Sequence, residues 1–162
     1  MASIWKLAQD MEKQGKAYYE KLAKSSKNPE IAAVFAFLAR EESVHLATFE
    51  KLEKGMKVTA RLVSGSTVKA AKLFGKMAVR SRIDGEKESA VKAYKEALAM
   101  EKQAVKYYRG MLKKCDEPQR AALSLIIEEE QNHVALMEAL IDFARKPQEW
   151  LENAEFNHLD DY

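Results

Sequence analysis

Apolar residues recur along this chain in alternating steps of three and four, the spacing that places side chains on one face of an α-helix. Four segments carry such a stripe, and prolines, glycines and polar runs separate them. Start and stop signals then give the helix boundaries. The predicted helices run from about Ser3 to the polar run 25–28, from Pro29 to Gly55, from about Gly85 to about Lys114, and from near Pro118 to just before Pro147.

The loop lengths predict how these helices connect. Short loops follow the first and third helices, so each pair should form an antiparallel hairpin. The connector between the hairpins, about residues 55–85, is long enough to return along the bundle. The pattern therefore predicts an all-α fold, a four-helix bundle of two antiparallel helical hairpins joined by a long crossover connector. We expect residues 1–146 to form the bundle and residues 147–162 to form a C-terminal tail.

Each stripe has a glutamate at its centre. In the second and fourth stripes a histidine follows three residues later, which pairs Glu42 with His45 and Glu130 with His133. Residues three apart lie on the same helix face, so each pair offers a carboxylate and an imidazole to one point. A buried carboxylate is costly without a compensating cation, and no lysine or arginine interrupts either stripe. The pattern indicates a buried metal ion.

The sequence also repeats itself, and the repeat identifies two more carboxylates. Residues 11–15, MEKQG, recur as residues 100–104, MEKQA, which gives Glu12 and Glu101 equivalent positions on the first and third stripes. Tyr19 and Tyr108 are equivalent too, two turns along the same faces. Each hydroxyl is near enough to hydrogen-bond a ligand carboxylate. The alternative is that both tyrosines only pack in the core.

Composition limits the class of protein. A chain of 162 residues that is 47% hydrophobic can bury one core without cross-links. Its single cysteine, Cys115, excludes an internal disulfide and a four-cysteine iron site. No stretch approaches the roughly 20 apolar residues of a membrane-spanning helix, and the first residues do not resemble a secretion signal. We expect a cytoplasmic protein.

The net charge is only +2, but basic residues cluster in the connector. Eight lysines and arginines and no acidic residue lie between residues 54 and 83. There, apolar residues alternate with Lys69, Lys72 and Lys76 as in a basic amphipathic helix. Three interpretations stay open: a solvated face of a crossover helix, a docking site for an acidic electron-donor protein, or a contact with nucleic acid or an anionic membrane. No nucleic-acid-binding motif accompanies the charge, so sequence-specific recognition of nucleic acid is not expected.

Four helices that each turn a glutamate inward, two of them with Glu-x-x-His, are the pattern of ferritin-like di-iron and di-manganese carboxylate proteins. From about residue 3 to residue 145 the chain resembles the rubrerythrin branch of that superfamily, in particular its short members without a rubredoxin domain. The resemblance implies two iron ions per chain, although manganese or zinc accepts the same ligands. The implied ligands are Glu42 and Glu130 as bridges, Glu12 and His45 on one metal, and Glu101 and His133 on the other.

The resemblance also implies a function. A dinuclear site of this type suits an oxidoreductase that oxidises Fe(II) or reduces peroxide or dioxygen. Its electron donor would be an acidic rubredoxin or ferredoxin, and the chain would form a homo-oligomer, with a dimer favoured. Two alternatives remain: an iron storage protein of the ferritin type with a ferroxidase centre, and a metal-stabilised helical module that binds partners through the basic connector.

The chain departs from the family pattern at one point. Typical rubrerythrins carry an extra glutamate one turn along the third helix, whereas the positions three and four residues from Glu101 are Ala97, Leu98, Ala104 and Val105. Peroxide reduction by ligand exchange at such a glutamate is therefore in question.

The remaining acidic residues are expected to face solvent. Those near the motifs lie off the stripe centres: Glu41, Glu128, Glu129 and Glu138. Glu155 and His158 repeat the motif spacing in the tail, but no apolar stripe surrounds them, so we expect this pair to be solvated.

Overall fold

The computed structural model describes residues 3–59 and 88–157, with side chains of the last helix described as far as Arg145. Its helices are α1 (Ile4–Ser25), α2 (Pro29–Glu53), α3 (Glu88–Met111) and α4 (Glu117–Asn157), and a single 3₁₀ turn (Leu112–Lys114) follows α3. The all-α four-helix bundle predicted from the sequence is confirmed. Most of the connector, including Lys69, Lys72 and Lys76, lies outside the described residues.

The helix ends use the side chains that the sequence suggested. Ser3 Oγ accepts a hydrogen bond from the backbone N–H of Trp5, and Asn28 Oδ1 accepts from the two N–H groups that follow Pro29. Gly55, at φ 68°, ends α2. The backbone N–H of Met56 reaches back to the carbonyl of Lys51 at 2.9 Å, so the last carbonyls of α2 are satisfied by a glycine-terminated cap.

Aromatic contacts at the two ends of the bundle show the helix directions. At one end Phe35 lies between Tyr19 and Tyr94, with ring centroids 6.0 and 5.3 Å away. At the other end Phe49 lies between Trp5 and Tyr108, at 6.0 and 5.1 Å. The first end therefore holds the start of α2 and the start of α3, so these two helices run parallel. The end of α2 and the start of α3 lie at opposite ends of the bundle, as a crossover connection requires.

Among the residues that the structure describes, the apolar core forms two clusters, one at each end. Phe35, Leu38 and Leu140 belong to the first, and Phe49 and Ile126 belong to the second. Each fully buried side chain of this kind stabilises the fold by roughly 1.5–3 kcal/mol. The middle of the bundle, between the clusters, is where the stripes place their glutamates and histidines.

The end of α4 differs from the prediction. The helix was expected to stop before Pro147, but it continues to Asn157. A proline inside a helix removes one hydrogen bond, here the one to the carbonyl of residue 143, and its ring crowds that carbonyl, but residues 148–156 are mostly good helix formers. Proline at this position interrupts the bonding without ending the helix. The division into a bundle of residues 1–146 and a tail of residues 147–162 stays a prediction, and His158 lies outside the described residues.

Candidate metal centre

All six predicted ligands meet in the middle of the bundle. The apolar neighbours on their stripes hold them there, because each stripe buries its residues on both sides of the polar position. None of the six is more than 4% exposed, and the set is Glu12, Glu42, His45, Glu101, Glu130 and His133. Burial to this degree is rare for carboxylates unless they are paired or bind a metal.

The six residues form two overlapping groups. Within each group every residue offers one ligand atom, and these atoms lie within 4.8 Å of one another. Glu42 and Glu130 belong to both groups. The groups are Glu12, Glu42, His45 and Glu130, and Glu42, Glu101, Glu130 and His133. The two shared carboxylates can bridge a pair of metal ions, and the remaining residues of each group can act as terminal ligands, which bind one ion only.

Both imidazoles turn Nδ1 toward the carboxylates. His45 Nδ1 lies 2.9 Å from Glu130 Oε1 and 3.5 Å from Glu12 Oε2. His133 Nδ1 lies 3.3 Å from both Glu42 Oε1 and Glu130 Oε2. The rings are stacked with centroids 5.7 Å apart, so both approach the cluster from the same side.

The cluster leaves many polar atoms without hydrogen bonds. Eight buried nitrogen and oxygen atoms of Glu12, Glu42, His45, Glu130 and His133 have no hydrogen-bond partner among the described residues, although several lie within ion-pair distance. Such atoms are costly to bury. Two divalent cations would bind them and would also balance the four carboxylate charges. The donor set therefore fits a pair of metal ions, and mixed carboxylate and imidazole ligands suit iron or manganese as well as zinc.

Neighbouring carboxylates favour the charged form of both histidines when no metal is bound. Burial by itself lowers the pKa of an imidazole. Against that effect, Glu130 and Glu12 raise the pKa of His45 well above its ordinary value. Glu101, Glu130 and Glu42 raise the pKa of His133 in the same way.

The carboxylates of the metal-free chain separate into two kinds. Burial and then the charges of Glu12 and Glu130 raise the pKa of Glu42 well above its ordinary value. Burial also acts to raise the pKa of Glu130, but His45 and His133 hold it well below that value. Burial and the charge of Glu130 raise the pKa of Glu101 to about 7. The two shared glutamates thus differ, since the pKa of Glu42 is raised and the pKa of Glu130 is lowered.

Two tyrosines donate hydrogen bonds to carboxylates of the opposite hairpin. The hydroxyl of Tyr19 donates to Glu101 Oε1, and that of Tyr108 donates to Glu12 Oε1. Burial, followed by the charge of the accepting carboxylate, raises the pKa of both tyrosines well above the ordinary value, so both hydroxyls stay protonated. Each tyrosine can therefore orient one terminal carboxylate.

Comparison with protein families matches this architecture. The rubrerythrin family model matches residues 4–141. The chain belongs to the rubrerythrin family. Comparisons with curated proteins and with solved structures found no match. Within residues 3–59 and 88–157, no helix is both long enough and apolar enough to cross a membrane.

One acidic residue of this rubrerythrin-family chain was placed wrongly from the sequence. Glu129 was expected to face solvent, but it is only 6% exposed. Together with the half-buried Glu41, it lies within 4.8 Å of a ring nitrogen of His45. Glu129 precedes Glu130 and is therefore off the α4 stripe, so the spacing carried no signal of its burial. Glu128 and Glu138 are exposed as expected.

Glycine at position 15 makes room for one of the shared carboxylates. A Cβ at Gly15 would lie 2.8 Å from Glu42 Oε2 and 3.4 Å from Glu42 Cδ. A side chain there would require the carboxylate to move. The equivalent residue of the second hairpin is Ala104, so the two halves of the repeat differ directly beside the candidate site.

Proposed function

We propose that this chain is a dinuclear iron oxidoreductase that oxidises Fe(II) while it reduces peroxide or dioxygen. The observation that carries the proposal is the pair of overlapping ligand groups, which share Glu42 and Glu130 in a buried site with unpartnered donor atoms. Family membership supports iron and peroxide chemistry in general, and the ligand types suit iron.

Each residue has a role in the proposed centre. The shared carboxylates would bridge the two ions, while the others complete each coordination sphere: Glu12 and His45 on one ion, Glu101 and His133 on the other. Two bound Fe(II) ions would supply one electron each for cleavage of an O–O bond. Tyr19 and Tyr108 would keep Glu101 and Glu12 oriented as ions bind and leave.

Anaerobic titration with Fe(II), followed by stopped-flow mixing with hydrogen peroxide, tests the proposal. We expect about two Fe(II) per chain, and oxidation of both by one peroxide. Glu138→Gln should leave both results unchanged, because it alters a carboxylate at an exposed position of α4, the helix that carries Glu130. Binding of a single ion, or an Fe(II) oxidation rate that responds to neither peroxide nor dioxygen, would refute the dinuclear oxidoreductase.

An acidic rubredoxin or ferredoxin is the proposed electron donor. This part of the proposal rests on the basic residues between positions 54 and 83, most of which lie outside the described residues. Attraction between oppositely charged surfaces weakens with ionic strength. Reduction by such a donor should therefore slow as salt is added, and a rate that does not respond to salt would contradict docking on these residues.

A further inference from the structure

A groove between α1 and α3 leads from the protein surface to the candidate metal centre. Its volume is about 710 Å³, within the range of roughly 300–1,000 Å³ typical of small-molecule pockets. Its inner end is formed by Glu12, Glu42 and Glu101. Lysines and other polar residues also line the groove, but most of the exposed lining is apolar and includes Ile4, Leu7, Met11, Ala97, Met100 and Met111.

The groove reaches only one of the two shared carboxylates. Glu42 lines it, whereas Glu130 is not among its described lining residues and is fully buried. Gly15 leaves the space open at this point, because a Cβ on this residue would lie 2.8 Å from Glu42 Oε2. One face of the site is thus accessible from the groove at the point where α1 lacks a Cβ.

The groove is larger, and its walls are more apolar, than a site for hydrogen peroxide needs to be. Leu7, at the groove, is 48% exposed and is one of three exposed large apolar side chains in the described ranges. Water leaves such a surface readily when an apolar ligand covers it. The inner end has different chemistry. Three carboxylates there disfavour an anionic head group such as a fatty acid, but they accept hydrogen bonds from a neutral O–H group.

We propose that this groove binds the apolar chain of an alkyl hydroperoxide and directs its O–O–H group to the face of the site at Glu42. The proposal rests on the proposed oxidoreductase function. The hydroperoxide takes two electrons from two Fe(II) ions and two protons from solvent, its O–O bond breaks, and the products are the alcohol and water. The groove would select substrates by their alkyl chain, and the dinuclear centre would supply the electrons.

Binding is tested without any metal, by calorimetric titration of the metal-free chain with 1-octanol, the alcohol product. We expect saturable binding of one molecule per chain with a negative heat-capacity change. Met100→Gln and Leu7→Gln each place a polar amide on the groove wall and should weaken binding about five- to tenfold. Met56→Gln is the matched control, because Met56 is 52% exposed and does not line the groove.

Turnover gives the second measurement. The iron-loaded protein should show a higher kcat/KM for octyl hydroperoxide than for hydrogen peroxide. Met100→Gln should lower that ratio by the same five- to tenfold factor, and Met56→Gln should leave it unchanged. Failure to bind 1-octanol, with no preference for octyl hydroperoxide, would overturn the inference while leaving hydrogen peroxide reduction, and the proposed function, intact.

Two other outcomes would also overturn it. If the chain binds 1-octanol but reduces no peroxide of any kind, the hydroperoxide assignment fails, and the proposed function fails with it only if the iron-loaded chain reduces no dioxygen either. If Met100→Gln or Leu7→Gln instead dissociates a dimer in sedimentation, a second copy of the chain occupies the groove.

Discussion

The two hairpins carry equivalent candidate ligands but give their shared glutamates different surroundings. Glu42, from the first hairpin, faces the groove beside Gly15, and burial raises its pKa. Glu130, from the second hairpin, lies against both imidazoles, which lower its pKa. A sequence repeat can thus supply a nearly symmetric set of candidate ligands, while the contacts around its two halves differ: Gly15 lies against Glu42, and its counterpart in the repeat is Ala104.

The largest expected effect would come from removing either shared carboxylate. Glu42→Ala and Glu130→Ala should each abolish binding of the second Fe(II) and peroxide-dependent oxidation, because each change removes a ligand from both ions. Glu12→Ala and Glu101→Ala should leave one ion bound, because each removes a ligand from a single ion. Anaerobic Fe(II) titration measures the difference. Equal losses in all four variants would remove the basis for assigning bridges.

Gly15 and Ala104 provide the most direct test of the difference between the hairpins. Gly15→Ala should weaken Fe(II) binding about tenfold, or ~1.4 kcal/mol, because its Cβ displaces the Glu42 carboxylate. The same change favours the helix by up to about 1 kcal/mol, so the metal-free protein should not lose stability in parallel. Titration and chemical denaturation separate the two effects.

The reverse substitution is the matched control. Ala104→Gly should destabilise the metal-free fold by about 1 kcal/mol and leave Fe(II) affinity unchanged. Unchanged Fe(II) affinity in Gly15→Ala would show that the Glu42 carboxylate can move without cost, and the comparison between hairpins would lose its physical basis.

The sequence predicted much of this centre, because heptad spacing and Glu-x-x-His are local patterns. The spacing predicted that Tyr19 lies on the same helix face as Glu12. It did not predict the hydrogen bond to Glu101, because that contact requires the antiparallel packing of α1 against α3. Glu129 is buried by a neighbouring helix rather than by its own stripe. The importance of Gly15 depends on where Glu42 from another helix points. In each case the missing information concerned contacts between helices.

The pH dependence of the metal-free protein is a third test. Glu42, Glu101, His45 and His133 have raised pKa values, so the folded chain binds their protons more tightly than the unfolded chain does. Their contribution to stability is complete at low pH and is lost as the pH rises through the folded-state values, about 7 for Glu101. The contribution of Glu130 to stability is instead lost as the pH falls, because its pKa is lowered.

The lowered pKa of Glu130 affects stability only at more acidic pH, so the metal-free protein should lose stability between about pH 5 and pH 8. Fe(II) replaces the protons, so metal affinity should rise over the same interval. Urea denaturation with and without metal measures both trends, and Glu101→Gln should flatten the metal-free curve near pH 7. A metal-free protein that becomes more stable as the pH rises from about 5 to about 8 would contradict the directions of these pKa shifts.

The smallest expected effects concern the two tyrosines, where the hairpins should behave alike. Tyr19→Phe and Tyr108→Phe each leave a buried carboxylate oxygen without its donor, at a cost of roughly 1–3 kcal/mol. Because the two hydroxyls make equivalent bonds across the bundle, to Glu101 and Glu12, the losses should be similar. Fe(II) binding should weaken several-fold in both variants, since the terminal carboxylate is no longer held in place.

Tyr18→Phe is the matched control for these variants, because its half-buried hydroxyl donates to the carbonyl of Ala93 and to Glu96, away from the ligands. It should leave Fe(II) affinity unchanged. If Tyr19→Phe and Tyr108→Phe lose stability but keep full Fe(II) affinity, the tyrosines only satisfy buried oxygens in the metal-free state. If only Tyr108→Phe weakens Fe(II) binding, the asymmetry between the hairpins extends from the shared glutamates to the terminal ones.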